Sequence, residues 1–123
     1  MDWEVIVVEP ALSWLHSLRH TDRPSLIQIS KAITALRQEG PAMGRPLVDT
    51  VKGSRLANLK ELRPGSTGCS EVRLLFVFDP LRRAVFLVGG DKAGDWHGWY
   101  LTAVPRAEKA YEDYLTELEE DTE

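Results

Sequence analysis

Cysteine is almost absent. Cys69 stands alone among 123 residues, so no internal disulfide can form and no cysteine-rich zinc site can be built. A lone thiol suits a reducing cytoplasm, which is the expected location. Long apolar runs are missing too, none nearing the roughly 20 residues of a membrane helix. The N-terminal stretch MDWEVIVVEP is acidic where a secretory signal would be basic. No membrane partner is therefore expected. The usual devices of catalysis are equally scarce. The segment "GGDKAG" lacks the GxxxxGK[ST] spacing of a phosphate loop, and no Ser/His/Asp arrangement stands out. His16 and His20 have the four-residue spacing of a metal pair, yet no acidic or cysteine ligand accompanies them, and they read as surface residues. Neither metal nor cofactor is expected. Paired catalytic carboxylates cannot be singled out, because acids are spread over the whole surface.

What is present suits one ordinary domain. With 43% apolar and 28% charged residues, positions 1–123 are expected to form a single domain with a real core, closed by an acidic C-terminal helix and tail. The net charge of −4 hides an asymmetry. Residues 44–92 carry nine Lys/Arg against five Asp/Glu, whereas residues 107–123 carry one Lys against eight acids. A terminal charge run is ordinarily a solvated helix face. A basic middle beside an acidic tail is also the pattern of a protein with an anionic partner.

The chain has no repeats. Trp3–Glu9, rich in Val and Ile, predicts a strand. Pro10 suits the first turn of a helix over Ala11–Arg19. Asp22 can cap a second helix with Pro24 in its first turn, and its stripe of Leu26, Ile29, Ile33 and Leu36 has the spacing of one buried face. Gly40-Pro41 ends it, leaving an αα-hairpin. Residues 41–56, with two prolines, two glycines and no steady period, predict a long loop. Three strands are expected next. "NLKELRP" (58–64) has an undecided register, because Leu59 and Leu62 differ in parity. In "EVRLLFVF" (71–78), Val72, Leu74, Phe76 and Phe78 share one face, with Arg73, Leu75 and Val77 on the other. "RAVFLVGG" (83–90) is apolar on both faces, as in a central strand. The linkers "GSTGCS" and "DPLR" are hairpin-sized. A last helix is expected from about Pro105, with Ala107, Ala110, Tyr111, Tyr114 and Leu118 as its stripe. The order β-α-α-β-β-β-α predicts an α+β fold, a small antiparallel-rich sheet covered by helices.

The stretch "LVGGDKAGDWHGWY" (87–100) crowds a lysine, two tryptophans, a histidine and a tyrosine after an apolar run. It belongs with a cationic set: Lys60 and Arg63 on the first meander strand, Arg73 on the second, and Lys92 just past the third. If Val72, Leu74, Phe76 and Phe78 face the helices, Arg73 points out of the opposite, concave side. Pairing with Glu61 or Glu71 is the plain reading of these cations. The chemical one is that antiparallel neighbours gather them into a patch suited to phosphate.

The segments "LKELRP…EVRLLFVFDP…RAVFLVGGDKAGDWHGWY…VPRAEKAYEDYL" closely resemble the RelE/ParE toxin superfamily, in its HigB-type, phage-related branch. The resemblance covers about residues 45–115 by motif and the whole chain by element order. It implies a RelE-like fold and the toxin of a type II toxin–antitoxin pair, a ribosome-dependent mRNA endoribonuclease that inhibits translation. The alternatives it leaves are a ParE-like DNA gyrase inhibitor acting by binding, and a catalytically degenerate regulator that only binds its antitoxin. The implied partners are a helix-turn-helix antitoxin, the ribosome and mRNA, with operator DNA reached through the antitoxin. RNA cleavage by 2′-hydroxyl attack needs in-line geometry, charge on the phosphate and two proton transfers. Arg73 and Lys92 are then expected on the scissile phosphate and Lys60 and Arg63 along the RNA backbone. His97 or Tyr100 is expected in acid–base work, with a nearby cation able to lower either pKa. Trp96 or Trp99 could stack on a base, at least one of them being core instead. Relatives are commonly strongly basic, whereas the acidic tail here brings the pI to 5.4.

Overall fold

A computed structural model describes residues 2–65 and 70–121. The first strand, β1 (Glu4–Val7), leads through Glu9 and Pro10 into α1 (Ala11–Thr21). The Glu9 carboxylate accepts the backbone N–H and the hydroxyl of Ser13 at 2.8 and 2.7 Å, satisfying one of the free donors of the first helical turn. Asp22 separates α1 from α2 (Arg23–Glu39) and caps the latter, accepting the Ser25 N–H at 3.2 Å with Pro24 in the first turn. The helix stops at Gly40, whose φ of 63° suits glycine, and a single 3₁₀ turn follows. Then come β2 (Val48–Thr50), β3 (Lys60–Leu62), β4 (Val72–Asp79), β5 (Arg83–Asp91) and α3 (Gly98–Asp121).

The sheet runs β1-β5-β4-β3-β2, with β1 parallel to β5 and every other pair antiparallel. This is the expected α+β class, with β5 an interior strand between β1 and β4. Both faces are covered. Leu62, Val72, Leu74, Phe76, Ala84 and Phe86 pack under the α1–α2 hairpin. Leu59, Leu75, Val77, Val85, Leu87 and Val88 pack under α3 with Ala103, Ala107, Ala110 and Tyr114. The β4 alternation is as expected, but the face carrying Arg73 is not an open concave side. The last helix lies across it.

Three further differences from the sequence reading bear on the site. The expected loop 41–56 contains β2, a three-residue edge strand paired with β3. The last helix begins at Gly98 rather than near Pro105, so Trp99 and Tyr100 stand in its first turn. The linker "GSTGCS" falls largely on residues 66–69, and Cys69 with it, outside the described residues.

An irregularity in β5 sets the face of its end. Leu75 pairs with Val88 but Phe76 with Phe86, so Leu87 is an extra residue. Such a bulge reverses the parity of everything beyond it. Leu87 and Val88 both join the core under α3, and Gly90 then pairs with Arg73 on that same face. The adjacent glycines now have a physical reason. A Cβ on Gly89 would collide with the Trp14 ring of α1, and one on Gly90 would lie 2.5 Å from the Trp99 Nε1 of α3. Two tryptophans close on one strand from opposite sides.

Candidate functional site

Four neighbouring elements bring charged groups together on the α3 side of the sheet. Glu61 of β3 pairs with Leu75 and therefore shares a face with Arg73 of β4. The bulge gives Lys92, just past β5, that same face; its N–H bonds the Glu71 carbonyl at 3.0 Å. Tyr100 comes down from the first turn of α3. Its hydroxyl donates to Glu61 Oε2 at 2.6 Å and accepts from Lys92 Nζ at 3.2 Å. Arg73 donates from Nη1 to the Val72 carbonyl at 2.8 Å and from Nη2 to Glu71 Oε2 at 3.2 Å.

Burial makes this group unusual. Glu61, Arg73 and Lys92 are only 7%, 4% and 5% exposed. Charges withdrawn from water are costly unless paired and hydrogen-bonded, and here two cations face one fully buried carboxylate. Arg73 Nε has no hydrogen-bond partner among the described residues. Buried donors are nearly always satisfied, so this one is spare capacity for an acceptor. Burial, followed by the neighbouring Arg73 charge, holds the Lys92 ammonium below the ordinary lysine range, with Glu61 acting against them. Burial and then the bond to Glu61 push the Tyr100 phenol far above its usual value. Arg73 acts to lower it, as the sequence reading expected of a nearby cation, but burial and Glu61 outweigh it. The Tyr100 phenol stays neutral and works as a hydrogen-bonding group.

The aromatic residues cover the cluster. Lys92 Nζ lies 4.1 Å from the Trp96 ring centroid, a cation–π contact, and 5.2 Å from that of Tyr100. Trp96 is half exposed, on the turn between β5 and α3. Trp99 packs edge-on to Tyr100, with centroids 5.0 Å apart, and lies over Gly90. One tryptophan is thus core and the other a cover. Beside Tyr100 and Glu61 opens a cleft of about 250 Å³, also lined by Thr50, Val51 and Lys52.

The other sequence-derived candidates are distributed around this cluster. Arg63 is partly buried, 3.8 Å from Asp49, and its charge reaches Lys92. Lys60 is not gathered with the rest. It pairs with Phe76 on the hairpin side of the sheet, and its ammonium donates to Thr50 Oγ1 at 3.3 Å. His97 is exposed on the turn, with no hydrogen bond among the described residues. His16 and His20 are exposed on α1. Glu61 is the residue that the sequence reading placed only as an ion-pair partner. The signal for it was weak: an acid on a three-residue strand of undecided parity.

Comparison with known proteins gives a consistent set. The family model described as phage-derived protein Gp49-like (DUF891) matches residues 13–112. A Mycobacterium tuberculosis protein provisionally named toxin HigB2 is 49% identical over 113 residues, 92% of this chain and 55% of its own length. A second protein of that organism, provisionally named toxin HigB3, is 42% identical over 111 residues, 90% of this chain and 92% of its own. The chain thus spans about half of the first relative and nearly all of the second. Among solved structures, a double arginine-to-alanine mutant of the E. coli toxin RelE in the free state superposes with a TM-score of 0.58. At 19% identity it covers 86% of this chain and 98% of that one, a likeness of fold.

Proposed function

The chain belongs to the phage-derived Gp49-like family, the HigB-type branch of the RelE superfamily, and from that premise we propose that it is a toxin–antitoxin toxin that cuts mRNA on the ribosome. The observation that carries the nuclease reading is the buried pair Arg73 and Lys92 beside Glu61, with a donor of Arg73 left over.

A phosphodiester supplies what this cluster lacks, an anion with several acceptor oxygens. Arg73 and Lys92 bind the non-bridging oxygens, where charge builds as the phosphorus becomes five-coordinate. Glu61 Oε1 takes the proton of the attacking 2′-hydroxyl, while Oε2 stays bonded to Tyr100, which holds the carboxylate in place. The 2′-oxygen–phosphorus bond forms and the bond to the 5′-oxygen breaks. Lys92, held below the ordinary lysine range, gives its proton to the leaving 5′-oxygen. The products are a 2′,3′-cyclic phosphate and a 5′-hydroxyl. Arg63 and, from the far side of β3, Lys60 meet the flanking backbone phosphates. Trp96 leaves Lys92 to stack on a base, and His97 contacts RNA at the rim.

The cover of Trp96 and Tyr100 hinders entry of a free RNA strand, whereas a small anion reaches the cluster through the cleft beside Glu61, which accords with strand cleavage where the ribosome presents it. The setting is then the cytoplasm; among the described residues no helix is long and apolar enough to cross a membrane. The partner is a helix-turn-helix antitoxin that masks the cationic middle of the chain and carries the complex to operator DNA. The test is a pulse of expression without the antitoxin, followed by mapping of mRNA ends. Discrete cuts that vanish with Arg73→Ala are expected. Intact mRNA with DNA breaks would transfer the chain to the gyrase-binding class.

A further inference from the structure

The cleft beside Glu61 has a neighbour. A second one of about 330 Å³ shares Lys52 and Tyr100 in its lining and is lined also by Gly53, Leu101, Val104, Pro105 and Glu108. One wall is the loop after β2; the other is the first turns of α3. The wall is fastened. Glu108 accepts the Ser54 hydroxyl at 2.8 Å, the Arg55 N–H at 2.7 Å and Arg55 Nε at 3.3 Å, and the Ser54 hydroxyl in turn accepts the Leu56 N–H at 3.0 Å. Leu101, the most exposed of the large apolar side chains at 79%, lies on its rim. A preformed slot between an apolar helix face and a lysine is the shape of a site for a planar ring with polar edges.

Resting on the nuclease reading of the adjoining cluster, we infer that this second cleft is a nucleobase subsite, holding the base next to the scissile phosphate against Tyr100, Leu101 and Val104 with Lys52 at its edge. The shared wall at Lys52 and Tyr100 names the occupant. A ribose-phosphate whose phosphate meets Arg73 and Lys92 has its base within reach beyond Tyr100, the one aromatic side chain lining both clefts. Lys52 supplies only donors, so it favours a base edge bearing acceptors. Guanine presents two, O6 and N7, where adenine presents N7 beside a donor amine.

The experiment titrates the whole chain with inorganic phosphate, guanosine, guanosine 3′-monophosphate and adenosine 3′-monophosphate, following amide resonances and affinity. Guanosine 3′-monophosphate is expected to bind about tenfold or more tightly than phosphate, the increment typical of one stacked base, and more tightly than its adenosine counterpart. Shifts should appear at residues 52–55 and 101–104. Lys52→Ala should erase the guanine preference, and Val104→Trp, which fills the slot, should reduce nucleotide affinity to that of phosphate while binding phosphate as the wild type does. Equal affinity for nucleotide and phosphate in the wild type, or a gain that survives Val104→Trp, would overturn the subsite. If phosphate fails to bind while guanosine still shifts residues 52–55 and 101–104, the nuclease reading of the charge cluster falls and the base cleft stands.

Discussion

Replacing Glu61 by glutamine separates chemistry from architecture more cleanly than any other single change. Glutamine has the same size, and its carbonyl oxygen can still accept the Tyr100 hydroxyl that now lies 2.6 Å from Glu61 Oε2. A hydrogen bond to a charged acceptor contributes about 1.5–3 kcal/mol and a neutral one about 0.5–1.5, so that bond weakens by about 1 kcal/mol. Against the saved desolvation of a carboxylate only 7% exposed stands the loss of the buried counter-charge that Arg73 and Lys92 face. Stability should therefore fall, by at most about 3–5 kcal/mol, the cost of breaking a buried pair at one partner. The reaction loses its proton acceptor, which costs roughly 10²–10⁴ in rate. Lys92 also loses the larger of two carboxylate attractions, Glu61 ahead of Glu71, that oppose burial and Arg73, so its pKa falls further below 10.5. The alkaline limb of the rate profile, where Lys92 loses its proton, should then move to lower pH. The assay is single-turnover cleavage of a defined message on purified ribosomes across a pH series, with thermal unfolding as the control for folding. A folded Glu61→Gln protein that cuts within a factor of about three of the wild type, with an unmoved alkaline limb, would remove Glu61 from the chemistry.

Other substitutions test the surroundings. Arg73→Ala should lower the single-turnover rate by about 10²–10³, and Arg73→Lys should recover only part of it, because lysine keeps the charge but not the planar fork. Gly90→Ala should destabilise by about 1–3 kcal/mol in denaturant unfolding, since its Cβ would meet the Trp99 indole; an unchanged midpoint would show that α3 is free to shift. Asp22→Ala should cost about 1 kcal/mol in the same measurement by removing the cap of α2. For Tyr100 the folded phenol lies above its unfolded value of 10.0, so it contributes stability that is present below pH 10.0 and lost as pH rises further. Stability should fall more steeply above that pH in the wild type than in Tyr100→Phe; parallel curves would mean that the phenol is not held as described.

Much of the fold was legible because its strongest elements carry a clean period. Strand β4 alternates over eight residues, and α2 repeats its apolar positions at 3 and 4. The failures have local causes. β2 is three residues between Pro46 and Gly53, too short to show alternation. Leu59 and Leu62 differ in parity because both faces of the sheet are covered, so both are buried, one under α3 and one under the hairpin. Pro105 looked like the first turn of a helix, yet it is the eighth residue of α3. Leu101, whose carbonyl would otherwise take the N–H that proline lacks, is a largely exposed residue. Arg73 and Lys92 were readable as cations on strongly apolar strands. That they share a face depends on the bulge at Leu87, which no local pattern announces. Glu61 was hidden by number: among 19 acidic residues, nothing in the sequence marks Glu61 as one of those that folding encloses, Asp79 being another.

The central claim is that a buried Glu61–Arg73–Lys92 cluster cleaves RNA by activating the strand's own 2′-hydroxyl. Its most direct test is a message carrying a single 2′-deoxy nucleotide immediately 5′ of the mapped cut, placed on purified ribosomes with the wild-type protein. Cleavage should disappear at that phosphate alone, while the unmodified message yields a 2′,3′-cyclic phosphate and a 5′-hydroxyl. Undiminished cutting of the 2′-deoxy message would contradict the account.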